Sequence, residues 1–170
     1  MLSESENYSH RIEDLHNLIK NLLADVPAEG LNWRPFAEDE EHSTNSLAGM
    51  AVHVAGAEHF WFGEVIAGQA PTRDRESEFK SSATSPEFLN KILDQTLAET
   101  KAVLSTLSVS DLDQVREARG KSIPVRWAIL HVIDHTSMHL GHMQITYQLW
   151  SHGKARPSPL WYDRLPKESI

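Results

Sequence analysis

The stretch that decides the fold is His131-Val132-Ile133-Asp134-His135-Thr136-Ser137-Met138-His139-Leu140-Gly141-His142. An α-helix turns about 100° per residue. With His131 at zero, His135 falls at about 40°, His139 at about 80° and His142 at about 20°, so all four share one narrow stripe. Trp127, Ala128, Met138, Ile145 and Leu149 lie alongside, while Asp134, Ser137, Gly141, Gln144 and Gln148 occupy the other side. The wheel therefore predicts histidines that point into a core and polar residues that face water. A buried neutral imidazole needs partners for both ring nitrogens, and one left unpaired costs about 1–3 kcal/mol. Several inward imidazoles are best reconciled by a shared metal ion, for which neutral imidazole is the commonest ligand.

Outward from this stretch, the helix begins at Pro124 and runs to Trp150, before Gly153, Pro157 and Pro159. Three further patterns have the helical period. The first, 7–25, carries Tyr8, Ile12, Leu15, Ile19, Leu22 and Leu23, and Pro27 and Gly30 end it. The second, 46–68, follows the capping cluster Ser43-Thr44-Asn45-Ser46, and Pro71 prevents its extension. The third, 86–107, opens on Ser85-Pro86-Glu87, a cap residue, a proline at the first helical position and an acid in the first turn. No segment alternates like a strand for long, and Pro124 weakens the one short candidate, Gly120 to Val125. The expected fold is all-α: one four-helix-bundle domain over 1–170, with a long polar crossover, roughly Gln69 to Thr84, between helices 2 and 3 and a tail over 151–170.

His53 shares a stripe of the second helix with Met50, Ala57, Phe60 and Trp61, so it too is expected in the core. A His-xxx-His pair within one helix suits chelation of a single ion. The wheel does not choose between His131/His135, His135/His139 and His139/His142. His16, His42 and His59 read as surface or loop residues, and His10 and His152 sit near element ends. Asp134 reads as solvated. Glu58 lies at the edge of the buried arc, either accepting a hydrogen bond from a metal-binding histidine or paired with an arginine.

Composition excludes several classes. The net charge of −8 argues against non-specific nucleic-acid binding. The acids crowd the region up to Glu41, whereas from Lys121 onward Lys and Arg predominate, so an anionic substrate is better received near the C-terminal segment. Apolar stretches break off before the roughly 20 residues of a membrane span, and the polar start is not a signal or transit peptide. The expected address is cytoplasmic. The absence of cysteine removes disulfides, thiolate ligands and a cysteine nucleophile, so any thiol chemistry needs a thiol brought in as a small molecule.

Asn45-Ser46-Leu47-Ala48-Gly49-Met50-Ala51-Val52-His53-Val54-Ala55-Gly56-Ala57-Glu58 resembles the second helix of the DinB-like superfamily, and His131 to His142 resembles its last helix. There the family shows His-xxx-His, a basic residue or Leu, then Gly and a polar residue that is usually Gln. Trp33-Arg34-Pro35, Trp61-Phe62-Gly63-Glu64 and Trp161-Tyr162-Asp163-Arg164-Leu165-Pro166 resemble its mycothiol-transferase-like subgroup. The resemblance covers nearly the whole chain. It implies a metal triad of His53, His135 and His139, an up-down-down-up bundle, a homodimer, and a bound zinc or nickel ion, with iron also admissible. His142 stands where the family often has Gln, and His131 is an additional imidazole. Each is a candidate catalytic base, fourth ligand or hydrogen-bonding partner of a ligand.

Three protein nitrogens leave an ion with open positions, the pattern of catalytic sites. The activity the resemblance implies is a metal-dependent transferase that activates a low-molecular-weight thiol, of the mycothiol or bacillithiol kind, for attack on an electrophile. The alternatives are a metal-dependent hydrolase and a non-enzymatic metal-binding stress-response protein. A cleft reaching the ion would favour an enzyme, and Trp33, Trp61, Trp127 and Trp161 are candidates to line one.

Overall fold

The computed structural model describes residues 3–36 and 44–165, with the backbone alone at Trp161. The run Glu38 to Glu41, His42, Ser43 and Pro166 lie outside the described residues. Four long helices carry the fold: α1 (Glu4–Leu23), α3 (Leu47–His59), α5 (Pro86–Thr106) and α7 (Val125–Trp150). Short helices α2 (Ala28–Asn32), α4 (Arg75–Lys80) and α6 (Val109–Leu112) punctuate the links. Ser3 and Glu6 start α1 with a reciprocal capping box, Ser3 N–H donating to Glu6 Oε2 at 2.6 Å. Ser46 accepts from the Gly49 N–H at 3.0 Å to open α3. Ser85 stands at the N-cap of α5, but its side chain caps no backbone amide there; Pro86 at the first position leaves one donor fewer to satisfy.

The helices pack so that α1 and α3 each contact both α5 and α7. Two apolar clusters fill the interior. One joins Ile19 and Leu23 of α1, Leu47 and Ala51 of α3, Leu89 and Leu93 of α5, and Leu140 and Met143 of α7. The other joins Ile12, Phe62, Leu104 and Ile129. The C-terminal parts of α1 and α7 thus meet the N-terminal parts of α3 and α5, so the first and last long helices run one way and the middle pair the other. No helix among the described residues is long and apolar enough to cross a membrane.

Three expectations are corrected. The second helix is not uniform to residue 68: after His59 it continues as a π-helical turn, Phe60–Ile66, in which Ala67 N–H reaches the Phe62 carbonyl. The wider turn shifts the phase of the wheel, and Phe60 and Trp61 end half-buried rather than in the core. Second, β1 (Val115–Ala118) and β2 (Lys121–Pro124) form an antiparallel hairpin with Arg119 and Gly120 at its tip, both at positive φ. Pro124 lies at the strand's end, where its missing N–H does not interrupt the pairing. Third, α7 is rotated from the predicted direction. Thr136, Leu140, Met143 and Thr146 are buried. Trp127, Met138, Ile145 and Leu149 are exposed by 48, 53, 58 and 55%. A helix apolar around most of its circumference defines a stripe, not which stripe faces in.

Candidate metal centre

The rotation of α7 leaves His135 and His139 at the border of its buried face, half-buried, with His53 fully inside α3 opposite them. One ring nitrogen from each of the three lies within 4.8 Å of the others, a group that could hold a metal ion. His53 Nε2 stands 3.1 Å from His135 Nε2, and the His139 ring centroid is 4.8 Å from that of His53 and 4.5 Å from that of His135. His139 Nδ1 is buried without a hydrogen-bond partner among the described residues. Burial, then the neighbouring imidazoles and Arg73, lower the His135 pKa to about 3. Burial, then His53, His142 and Arg75, lower that of His139 to about 4. Both present neutral lone pairs at pH 7, the form a metal requires. The residues fit a divalent ion: three imidazoles, no thiolate, and solvent access through the half-buried pair.

The group that orients His53 is one the sequence pattern did not mark. Glu78 of α4 is buried, and its Oε2 lies 2.8 Å from His53 Nδ1. Arg73 grips the same carboxylate, Nε to Oε1 at 2.7 Å and Nη2 to Oε2 at 3.0 Å. Burial works to raise the Glu78 pKa, but the hydrogen bonds from His53 and Arg73 and the guanidinium charge outweigh it, and the group is held below the usual carboxylate range. An ionised Glu78 makes Nδ1 of His53 the donor and leaves Nε2 as a lone pair facing His135. Arg73 is itself held by Glu64, whose Oε1 accepts the N–H groups of Thr72 and Arg73 at 2.6 and 2.8 Å. Phe79 stacks on His53 with ring centroids 4.2 Å apart.

Apart from Glu64, which belongs to the π turn, these supporting residues sit on the polar crossover, whose approach to α3 needs glycine. A Cβ on Gly56 would collide with the Glu78 carboxylate, and one on Gly49 would come 3.1 Å from the Phe79 carbonyl. Two glycines seven residues apart in a helix, on one face, were the readable sign of a segment crossing there.

Glu58 does not serve the triad and, among the described residues, pairs with no arginine. It is wholly buried, its Oε2 lies 2.7 Å from His16 Nε2, and its Oε1 accepts from Thr100 Oγ1 at 2.6 Å. His16, expected at the surface, is 0% exposed. His59 is half-buried against Glu99 and Thr72. His131 stacks on Trp127 at 5.0 Å between centroids, with its ring centre 5.7 Å from that of His135. His142 is exposed, its centroid 5.6 Å from that of His139. Neither joins the close-set nitrogens of the triad. Of the expected tryptophans, Trp61 and Trp127 meet edge to face at 5.7 Å beside His131, and Trp33 is half-buried elsewhere.

A family model described as mycothiol-S-transferase matches residues 13–149, a span that contains His53, His135 and His139. The chain belongs to that family. Its fold is DinB-like. A conserved protein from Enterococcus faecalis superposes with a TM-score of 0.68 at 16% identity, covering 88% of this chain and 98% of that one. A DinB-like protein from Bacillus subtilis superposes with a TM-score of 0.67 at 17% identity, covering 91% of this chain and 96% of that one. At such identities these structures speak to the fold alone. No curated protein sequence matches the chain.

Proposed function

We propose that this protein is a metal-dependent transferase that moves a low-molecular-weight thiol, of the mycothiol or bacillithiol kind, onto an electrophile. The single observation that carries the reading is the convergence of His53, His135 and His139, one nitrogen each within 4.8 Å, in a chain of the mycothiol-S-transferase family without a cysteine of its own. When bound, the divalent ion, zinc or nickel by its all-imidazole donors and iron less so, would supply Lewis acidity that favours the thiolate. The rest falls to this chain's residues. Glu78 and Arg73 fix the His53 tautomer and ring. Phe79 covers one face of that ring. His131, half-buried against Trp127 and with its pKa lowered by burial despite Asp134, is neutral at pH 7 and can accept a proton at the mouth of the site. The aromatic wall of Trp61 and Trp127 suits the apolar part of an electrophile.

We place the protein in the cytoplasm, where such thiols are kept reduced, and as a homodimer. The outward stripe Met138, Ile145 and Leu149, at helical spacing and half or more exposed, is the surface a second copy would cover.

The test is metal content per chain by mass spectrometry, for wild type and His139→Ala purified without a tag, followed by thiol transfer to 1-chloro-2,4-dinitrobenzene. About one ion per chain, lost in the variant, and a metal-dependent rate above background would support the proposal. An ion with no transfer above background would remove the transferase and leave a metal-binding bundle.

A further inference from the structure

Two arginines, one beside the triad and one on the hairpin that packs against the π turn, have no acidic partner among the described residues. Arg75 of α4 lies over the Phe79 ring, 5.2 Å from its centroid, and Phe79 is the ring stacked on His53. Arg119, at the tip of the β hairpin, lies 5.3 Å from the centroid of Phe60. Phe60 packs on Trp61, which meets His131. Both arginines are exposed, and each guanidinium lies over an aromatic ring, a contact that narrows the orientations of the side chain. Arg73, by contrast, shares the Phe60 ring but is spent on Glu78.

None of the nearby acids forms an ion pair with Arg75 or Arg119 among the described residues. Asp74 accepts the Glu76 and Ser77 amides, Glu78 is taken by Arg73 and His53, and Glu117 accepts from Ser122. Glu76 is exposed and makes no ion pair among the described residues. Neither guanidinium is engaged in an ion pair among the described residues, so both remain available to an incoming anion. The Arg75 charge also reaches His139, where it helps keep that imidazole neutral.

We infer that Arg75 and Arg119 form an anion-recognition rim for the His53–His135–His139 site, and that a substrate of this protein carries at least one oxyanion, a carboxylate or a phosphate, apart from its reacting group. Calling the ligand a substrate rests on the proposed transferase; the binding surface stands without it. Guanidinium forks match the paired oxygens of either anion, so charge and shape are both read. The hairpin then has a use that the bundle does not otherwise require: its tip brings Arg119 to the site from a different part of the chain than Arg75.

The experiment is an NMR titration of the ¹⁵N-labelled, as-purified protein with succinate, its uncharged analogue succinamide, and inorganic phosphate. It follows the arginine Nε–H and tryptophan indole signals in wild type, Arg75→Gln and Arg119→Gln. The expected result is saturable binding of an anion, with shifts at Arg75, Arg119 and Trp61, no response to succinamide, and affinity weakened about fivefold in each variant, the loss of one charge-assisted contact. The stronger binder of succinate and phosphate identifies the anion. Equal response to succinamide, anion binding unchanged in both variants, or no binding of either anion would overturn the rim. Both side chains are exposed, so folding of the variants, checked by circular dichroism, does not confound the reading. Anion binding without thiol transfer would sink the transferase and spare the rim; transfer without anion binding would do the reverse.

Discussion

Two buried histidine–glutamate pairs lie on α3 and its neighbours, and they are built alike but end differently. In one, His16 of α1 meets Glu58 at 2.7 Å, Thr100 closes the other oxygen, and both partners are 0% exposed. In the other, His53 meets Glu78 at 2.8 Å, but its second nitrogen faces His135 at 3.1 Å, and half-buried imidazoles connect it to solvent. The first pair is sealed between three long helices. The second is completed by a short helix on a crossover. The same two side-chain types are structural where regular helices close over them and available for ligation where a strap leaves one side open.

The largest expected effect tests the sealed pair. Glu58→Ala strands His16 and Thr100 in the core, and removing one partner of a buried pair costs about 3–5 kcal/mol. Urea unfolding should register that loss, while metal per folded chain stays at the wild-type level; a parallel fall in metal content would erase the contrast. Glu78→Gln is the complementary change. It keeps the shape but removes the carboxylate that orients His53, so metal affinity should drop about 10- to 100-fold, the usual consequence of losing a group that positions a ligand. Competition with a chelator measures it, and unchanged affinity would show that Glu78 does not orient the ligand.

A pH titration sharpens the open site. His135 and His139 have folded pKa values lowered from 6.5 to about 3 and about 4. In metal-free protein the unfolded chain takes up these protons near pH 6.5 while the folded chain does not. Their contribution is therefore full above pH 6.5 and is lost as pH falls through about 4 for His139 and about 3 for His135. His135→Phe with His139→Leu should flatten that part of a thermal-stability profile; an equally steep double variant would assign the slope to other groups. The smallest effect contrasts two glycines. A Cβ on Gly141 would meet nothing within 4 Å, so Gly141→Ala should stabilise α7 by about 0.5–1 kcal/mol. Gly56→Ala should instead displace Glu78 and weaken metal binding, and thermal melts with and without added zinc separate the two.

Much of the fold was legible because long amphipathic helices announce themselves by period. The four long elements fall within a few residues of the predicted 7–25, 46–68, 86–107 and 124–150, apart from the π turn. Spacing alone put His131, His135, His139 and His142 on one stripe but could not choose among them. Family likeness pointed to His135 and His139, and these are the two that the fold brings to His53. Glu78 and Arg73 were missed because a polar crossover has no period, and only Gly49 and Gly56 hinted that something passes close. His16 and Glu58 were misplaced because a single polar residue on a helix carries no sign of the partner waiting on another.

The sequence by itself determined the helices, the absence of any thiol and the supply of imidazoles, since these follow from composition and local periodicity. Only the tertiary structure decided which way α7 faces, which histidine nitrogens meet, and which carboxylate holds one of them. Those depend on contacts between residues 25 to 86 positions apart, such as His53 with Glu78 and with His139, and local pattern carries no information across such distances.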